Sequence, residues 1–511
     1  MKVQFLLKNT GMFERLGIMT LSSVLKEKGH EVKLILTEEL TEEEIIRSVK
    51  NYKPQVLAYS IMTGEHIYHI ELNQMVRSYY DAFSVFGGPH PTYSPEMIEK
   101  DYVDAICRGE GETYFLELIE KLEKNEDFYE IKNFWFQKKD GSIVKNSMGT
   151  LVPNLDVAPP PDRQLMYETD RSLKARGTKL FMATRGCPYQ CTYCFNHAYN
   201  ALTKGKGEMI RSRSVDSMIQ EIKEVKDNYF MDMVNIDDDI FLLKPKGWLE
   251  EFAEKYPKEI GLPLYCNVRP ETVNEKTGFL LNKMHCTHVA MGIECGNNEV
   301  AKKVLKRNTS NERIIEATKI LKKNKIKVMT QNLIGLPIPN PTEVDFDTLD
   351  FNIKLKPHFG WASILYPYPG TEIGTLATKV GYFDGNFEKT KISNKSATSL
   401  TLNDKIEERK INNFHKLFSI IVQFPFLRPY TKFLISLPLS FLYTWIYFAF
   451  YGFKYLQHSS FKGICLTFFH YLKFYFKYVS RLEKKVQFKN ILKSNKKLSS
   501  IDTKDEVSQR L

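Results

Sequence analysis

Residues 184–194 have the sequence TRGCPYQCTYC, which places three cysteines within eight positions. The whole chain has 511 residues and only eight cysteines, so Cys187, Cys191 and Cys194 form a marked local concentration. In a reducing compartment, thiols this close together are typical of a metal or cluster site and not of a disulfide framework. We expect such a compartment because residues 1–17 show no apolar run followed by a small-residue cleavage site.

The three cysteines follow the first of six apolar runs, and each run is followed by a charged, helix-like stretch. This alternation predicts a parallel α/β barrel, partial or complete, with its chemistry at the carboxyl ends of the strands. The predicted strands are 179–186, 233–241, 263–269, 288–296, 327–337 and 361–370. The cysteine loop is therefore expected at the active-site end of the barrel.

Residues 1–125 also alternate between apolar runs and helical stretches rich in Glu and Lys, such as 16–29 and 41–52. This pattern predicts a doubly wound parallel sheet, which binds ligands at the carboxyl ends of its strands. The predicted strands are 2–7, 31–36, 56–61 and 83–88. Glycines in GGPHPT (87–92) and RGEGE (108–112) would let the backbone approach a ligand there.

Three thiolates do not complete a structural zinc site, which takes four protein ligands, and His197 is the only nearby residue in sequence that could supply a fourth. A cubane iron–sulfur cluster suits them better, because three thiolates leave one iron free for a substrate or cofactor. A zinc site and three incidental buried cysteines remain the alternatives. Cys266, Cys286 and Cys295 lack cluster spacing and are predicted to be buried small side chains.

The CxxxCxxC spacing resembles that of the radical S-adenosylmethionine (SAM) superfamily, and Cys187, Cys191 and Cys194 match its motif residue for residue. The resemblance implies that these residues hold a [4Fe–4S] cluster and that the free iron binds SAM. It further implies that the reduced cluster cleaves SAM to a 5′-deoxyadenosyl radical. Tyr193, the aromatic residue before the third cysteine, is also predicted to contact a cofactor.

Weaker matches to the same superfamily suggest further contacts to SAM. The segment NIDDDIF follows the second barrel strand and offers Asp237, Asp238 and Asp239. Glu294 resembles a residue near the SAM ribose, and Arg307 resembles a cation that meets the SAM carboxylate. A solvated strand-end loop is the alternative for the aspartates, and a helix-surface position is the alternative for the arginine.

A doubly wound sheet ahead of such a barrel resembles the cobalamin-binding radical SAM class, over about residues 1–390. The residues that the resemblance places along the corrinoid's nucleotide tail are Ser60, Thr63, Gly87, Gly88 and Thr92. The Asp-x-His-x-x-Gly motif of many such modules is missing from LLKNTGMFERLG, after the first strand. Either the corrinoid binds without a protein nitrogen ligand or the domain has lost it; the glycine-rich strand ends favour retention. A flavodoxin-like interaction domain is the alternative.

The C-terminal region is apolar and basic. Residues 433–453 contain no charged side chain, which is enough to span a bilayer, but Pro438 and scattered aromatic residues argue against a simple span. Residues 461–479 combine a helical apolar pattern with flanking lysines, which is typical of a helix in the membrane interface. A helical subdomain packed on the barrel and a true span or hairpin are the alternatives. We expect a cytoplasmic protein that contacts the inner face of the membrane.

The net charge of +11 is concentrated at the C-terminus, because residues 454–511 carry +9. The remaining +2 does not suit a nucleic-acid enzyme, whose site a basic stripe would line. The predicted domains are a cobalamin-binding-like domain (1–140), a linker (141–175), the radical SAM barrel (176–390) and a helical region with a disordered end (391–511).

The resemblance implies an anaerobic enzyme that transfers a methyl group from cobalamin to an unactivated carbon of a small-molecule or lipid-like substrate. A reductase or a ferredoxin-type protein would supply the electron. The alternatives are a radical SAM oxidoreductase or cyclase without methyl transfer, and a corrinoid-binding module without turnover. Methylthio transfer to RNA is disfavoured, because Cys107 is the only cysteine before the barrel and a second cluster needs more.

Overall fold

The computed structural model describes residues 1–387, 398–401 and 405–456. The strands are β1 (Lys2–Leu7), β2 (Glu31–Leu36), β3 (Val56–Ser60), β4 (Phe83–Gly87), β5 (Ala105–Cys107), β6 (Phe134–Gln137), β7 (Ile143–Lys145), β8 (Thr178–Phe181), β9 (Thr184–Arg185), β10 (Arg211–Ser212), β11 (Met233–Ile236), β12 (Leu264–Val268), β13 (Cys286–Glu294), β14 (Lys327–Ile334) and β15 (Phe359–Ile364). The helices are α1 (Leu16–Glu27), α2 (Glu42–Tyr52), α3 (His66–Arg77), α4 (Pro89–Tyr93), α5 (Glu112–Lys124), α6 (Arg163–Thr169), α7 (Arg171–Ala175), α8 (Phe195–Leu202), α9 (Val215–Asn228), α10 (Trp248–Glu259), α11 (Glu275–Lys283), α12 (Asn298–Lys303), α13 (Asn311–Lys323), α14 (Pro341–Leu355), α15 (Glu372–Lys379), α16 (Lys405–Gln423), α17 (Thr431–Ser436) and α18 (Ser440–Leu456).

The first seven strands form one sheet in the order β2-β1-β3-β4-β5-β6-β7. Strands β1 to β5 are parallel, and β6 and β7 extend the edge in antiparallel pairing. Helices α1 and α5 pack on one face and α2 and α3 on the other, so the strands are buried on both sides and read as apolar runs. The predicted doubly wound sheet is confirmed, with the strand order of flavodoxin-like folds.

Six parallel strands form the second sheet, in the order β15-β14-β13-β12-β11-β8. Strands β8 and β15 are its two edges, so the described residues form a partial barrel, as predicted. Helices α9, α10, α11 and α13 cover its outer face. Helix α16 packs on the edge strand β15 through a core that includes Ile411, Phe414 and Phe418.

The predicted linker, 141–175, contains two short helices instead of free chain. Leu165, Met166 and Leu173, on α6 and α7, are buried in the core of the first sheet. The first sheet itself ends with β7, beyond the predicted boundary at residue 140. The two sheets are therefore joined by packed structure.

The uncharged segment 433–453 forms the end of α17 and most of α18, and Pro438 lies between the two helices. Tyr443 and Tyr447 are buried on the side of α18 that packs on α16. Within the described residues, none of the helices combines the length and the apolar character needed to cross a bilayer. The predictions for 461–479 and for a disordered end lie outside the described residues.

Candidate active site at the junction of the two sheets

The three cysteines lie on the loop that connects β9 to α8. Cys187 and Cys191 are buried, Cys194 is partly exposed, and none of them forms a disulfide. The Cys194 N–H donates to the Cys191 carbonyl at 3.1 Å, and Asn200 Nδ2 donates to the Cys187 carbonyl at 2.9 Å. Main-chain groups and α8 thus fix the loop, and its thiols stand at the carboxyl end of the barrel.

The environment of the thiols distinguishes between the metal sites that the sequence left open. Burial raises the pKa of Cys187 and raises the pKa of Cys194 to about 11, so thiolates here need a bound cation. Across the described residues, no three His, Cys, Asp or Glu side chains converge on one metal position. His197 binds Glu372 at 2.7 Å instead of completing a zinc site. This arrangement suits a cubane cluster, in which the thiolates bind different irons.

Two buried arginines approach the sulfur of Cys191. Arg269 Nη1 donates to Cys191 Sγ at 3.3 Å, and its guanidinium lies 3.7 Å from the ring centroid of Tyr189. Arg307 Nη1 lies 4.0 Å from the same sulfur. Both guanidinium groups stay charged, and Arg269 also pairs with Glu271 at 2.7 Å, so two cations stand beside the Cys191 sulfur with a carboxylate behind one of them. The sequence singled out Arg307 but not Arg269, which lies 78 positions from its sulfur partner and belongs to no local motif.

Arg307, Tyr193 and Glu294 form one hydrogen-bonded network beside Cys191. Arg307 Nη1 donates to the Tyr193 hydroxyl at 3.2 Å, and that hydroxyl donates to Glu294. Burial raises the pKa of both Tyr193 and Glu294. Glu294 has a φ of 69°, a strained conformation that β13 adopts at its last residue. Three sequence candidates thus lie together, and their contact with SAM stays a prediction.

The three aspartates after β11 have different surroundings. Asp237 and Asp239 line the cavity described below, and burial raises the pKa of both carboxyl groups. Asp238 instead faces the interior. Its Oδ1 accepts from the backbone N–H groups of residues 183 and 184 at 2.7 and 2.9 Å, and its Oδ2 pairs with the buried Lys244. The structure therefore gives Asp238 the role of holding the chain that leads into the cysteine loop. No motif signalled Lys244.

A cavity of about 500 Å³ lies between the carboxyl ends of the two sheets. Its lining includes Ser60, Gly87, Gly88 and Thr92 from the first sheet and Gly186, Phe195, Asn196, Asp237 and Asp239 from the barrel. No histidine is among the described residues that line it, which agrees with the missing Asp-x-His-x-x-Gly motif. Thr63 does not reach the cavity, because it is buried and bonded to His90 at 3.1 Å.

The GGPHPT turn gives the first-sheet wall of the cavity its shape. Gly88 has a φ of 95°, and a Cβ there would lie 2.8 Å from the carbonyl oxygen of Ile61. Only glycine fits both constraints. Thr92 Oγ1 donates to the Gly88 carbonyl at 2.8 Å and accepts from the Gly109 N–H at 3.0 Å. The turn therefore presents bare backbone to the cavity at Gly87 and Gly88, which suits close approach by a large ligand.

Four charged residues tie the first sheet to the short antiparallel pair of β9 and β10 at the rim of the cavity; we call Glu110, Glu112, Arg185 and Arg211 the junction cluster. Glu110 accepts from Arg211 Nη1 and Nη2 at 2.8 and 2.7 Å, and Arg185 lies 3.3 and 2.5 Å from Glu110 and Glu112. Burial alone would raise the pKa of Glu110, but the two arginines outweigh it and lower that pKa. Because Arg185 lies two residues before Cys187, the RGEGE loop of the first sheet holds the start of the cysteine loop.

Two family models match the chain, one over the domain of the first sheet and one over the barrel that follows it. The B12 binding domain matches residues 6–119, which run from β1 into α5. The Radical SAM superfamily matches residues 182–348, which include the whole cysteine loop, Arg269 and Arg307.

Similar proteins cover both domains. An uncharacterized methyltransferase of Pyrococcus horikoshii is 28% identical over 367 residues, which are 71% of this chain and 78% of the relative. An anaerobic magnesium-protoporphyrin IX monomethyl ester cyclase of Rubrivivax gelatinosus is 23% identical over 76% of this chain and 71% of its own. The radical SAM methyltransferase TsrM of Kitasatospora setae, solved with cobalamin and a [4Fe–4S] cluster, is similar with a TM-score of 0.62. Its identity is 17% over 74% of each chain, which shows a shared fold.

The residues present suit the cofactors of these families. Three thiols beside two arginines suit a [4Fe–4S] cluster and the SAM that it binds, and the glycine-walled cavity suits a corrinoid. The cofactors are accordingly a [4Fe–4S] cluster, SAM and cobalamin. The chain therefore carries a radical SAM domain over residues 182–348, with a B12 binding domain over residues 6–119 ahead of it.

Proposed function

We propose that this radical SAM enzyme transfers a methyl group from cobalamin to an unactivated carbon of a small-molecule or lipid-like substrate. The observation that carries the proposal is the cavity of about 500 Å³, to which the strand ends of the B12 binding domain and the cysteine end of the barrel both contribute. A corrinoid held at the first-sheet wall and a cluster held by the cysteine loop would face each other across it. The methyltransferase relative from Pyrococcus horikoshii supports the same reaction type.

When bound, the cluster with SAM supplies a hydrogen-abstracting radical and the corrinoid supplies the methyl group. The residues of this chain would bind the cofactors and the substrate, orient them, and exclude water from the cavity. Cys187, Cys191 and Cys194 would hold the cluster, and Arg269 and Arg307 would place two cationic groups beside the Cys191 sulfur.

Two further features of the site serve this reaction. Apolar side chains shield the cavity from water, which protects a reactive intermediate; they include Phe5, Leu16, Leu21, Phe115, Leu151 and Met182. The junction cluster would keep the methyl donor and the radical source at a fixed separation, as a reaction between two bound groups requires. An external electron donor of the reductase or ferredoxin type completes the proposal.

A test without knowledge of the substrate uses the enzyme purified anaerobically with its cluster reconstituted. The protein is incubated with hydroxocobalamin, passed through gel filtration, then reduced with titanium(III) citrate and given SAM with a deuterated methyl group. We expect near-stoichiometric corrinoid, labelled methylcobalamin and 5′-deoxyadenosine. The Cys191→Ala variant should retain corrinoid and lose 5′-deoxyadenosine formation. Cys295→Ala, which removes a buried barrel cysteine outside the loop, is the matched control.

Two results would contradict the proposal. Loss of the corrinoid on the column would show that the cavity serves another ligand. 5′-Deoxyadenosine without labelled methylcobalamin would favour the oxidoreductase or cyclase alternative, which the relative from Rubrivivax gelatinosus represents.

A further inference from the structure

The C-terminal helices expose an apolar surface for which the catalytic proposal has no use. We call this surface the aromatic face; its residues are Phe426, Tyr430, Phe433, Phe441, Leu442, Trp445, Ile446 and Phe448. Phe441 is 79% exposed, Phe426 69% and Phe433 65%, whereas large apolar side chains on a soluble surface usually stand singly.

Helix α18 is apolar around its whole circumference. Its inner side, with Tyr443 and Tyr447, packs on α16, and its outer side presents Phe441, Trp445 and Phe448. A helix that is apolar all round normally has apolar surroundings on every side. The outer side of α18 therefore requires an apolar partner outside the described residues.

The charge around the aromatic face identifies the partner. Residues 409–456 contain six Lys or Arg and no Asp or Glu, a run of 48 described residues without an acidic side chain. Arg428 and Lys432 reach carboxylates only on α14 of the barrel, Asp350 at 2.5 Å and Glu343 at 3.7 Å. Helices α17 and α18 thus combine apolar side chains with Lys432 and Lys454 and carry no acidic side chain.

We propose that the aromatic face docks on the surface of a membrane that contains anionic lipids, with α17 and α18 lying in the interface. Trp, Tyr and Phe beside Lys and Arg are the side chains that bind this region of a bilayer. An anionic bilayer satisfies both the apolar face and its cationic border. A second copy of the chain would bring two cationic borders together.

The test is co-sedimentation of the full chain with vesicles of phosphatidylcholine, alone or with about one-third phosphatidylglycerol. We expect binding only to the anionic vesicles and weaker binding at high salt. The double variant Phe441→Ser, Trp445→Ser should lower the partition constant at least about tenfold, because two exposed aromatic side chains are lost. Phe279→Ser, which removes a 61% exposed phenylalanine from α11 of the barrel, is the matched control and should bind normally.

A second readout locates the contact. Binding should shift the tryptophan emission of the wild type to the blue, and Trp445→Phe should bind and lose most of this shift. Unchanged binding of the double variant would overturn the proposal, as would a wild type that stays in the supernatant with anionic vesicles. A wild-type dimer that the double variant converts to a monomer without any vesicle binding would assign the aromatic face to a second copy.

Discussion

Gly186, the residue before Cys187, offers a sharp test of how the cysteine loop is held. Its φ is 95°, and a Cβ there would lie 1.9 Å from the carbonyl oxygen of Met209. An ordinary contact begins at 3.4 Å, so Gly186→Ala would force β9 and β10 apart by about 1.5 Å. The backbone conformation costs about 1–3 kcal/mol and the overpacking a similar amount. We expect a loss of about 3 kcal/mol in unfolding free energy and a several-fold drop in bound iron.

The control for Gly186→Ala is Gly205→Ala. Gly205 also has a positive φ, 76°, but a Cβ there would meet nothing within 4 Å. Gly205→Ala should lower the unfolding free energy by about 1 kcal/mol through backbone conformation alone, without the clash. The assays are chemical unfolding of the apoprotein and the iron and sulfide content after anaerobic reconstitution. Full iron content and unchanged stability of Gly186→Ala would refute the reasoning, as would equal losses in the two variants.

Three further predictions concern the charges of the site and of the first sheet. Arg269→Gln removes a buried cation from the Cys191 sulfur, so the reduction potential of the cluster should fall by on the order of 50 mV, measured by redox titration with electron paramagnetic resonance. Glu110→Gln leaves the junction arginines short of a carboxylate; we expect about 3 kcal/mol lower stability and weaker corrinoid retention on gel filtration. Burial lowers the pKa of His69 to about 4 and that of His90 to about 3. The unfolded chain, with histidine pKa values near 6.5, binds more protons, so stability should fall by about 1.4 kcal/mol per histidine for each pH unit below 6.5. Equal unfolding free energies at pH 7.5 and 5.5 would contradict this.

The sequence predicts the sheets well because their parallel strands are buried on both faces. Every predicted strand begins within two residues of its place in the structure, from β1 at Lys2 to β15 at Phe359. The predicted ends run up to six residues too far, at β15, because no turn residue marks the point at which pairing stops there. Strands β5, β6, β7, β9 and β10 have two to four residues each and are not distinguished by the sequence pattern, since so short a run carries no periodicity.

In the candidate site, too, local sequence signals are predictable and contacts between distant parts of the chain are not. The cysteine motif is local, so its spacing alone predicts the loop and its chemistry. Arg269 and Lys244 act on partners brought near by the barrel, and no pattern along the chain marks them. For Asp238 and Thr63 the residue type suggested a ligand contact, yet both side chains satisfy buried groups of the protein itself. The fold decides whether a side chain is buried and where it points, and the spacing of residues along the sequence does not show either.

The junction cluster has a consequence for how the cell must supply this enzyme. Arg185 and Arg211 connect the wall of the corrinoid cavity to the loop that receives iron, so we expect that ordering one side will lower the entropic cost of filling the other. The two loadings then assist each other by equal factors. A cell short of cobalt would therefore accumulate chains that are also poor in iron, and restoring the corrinoid alone would raise iron occupancy.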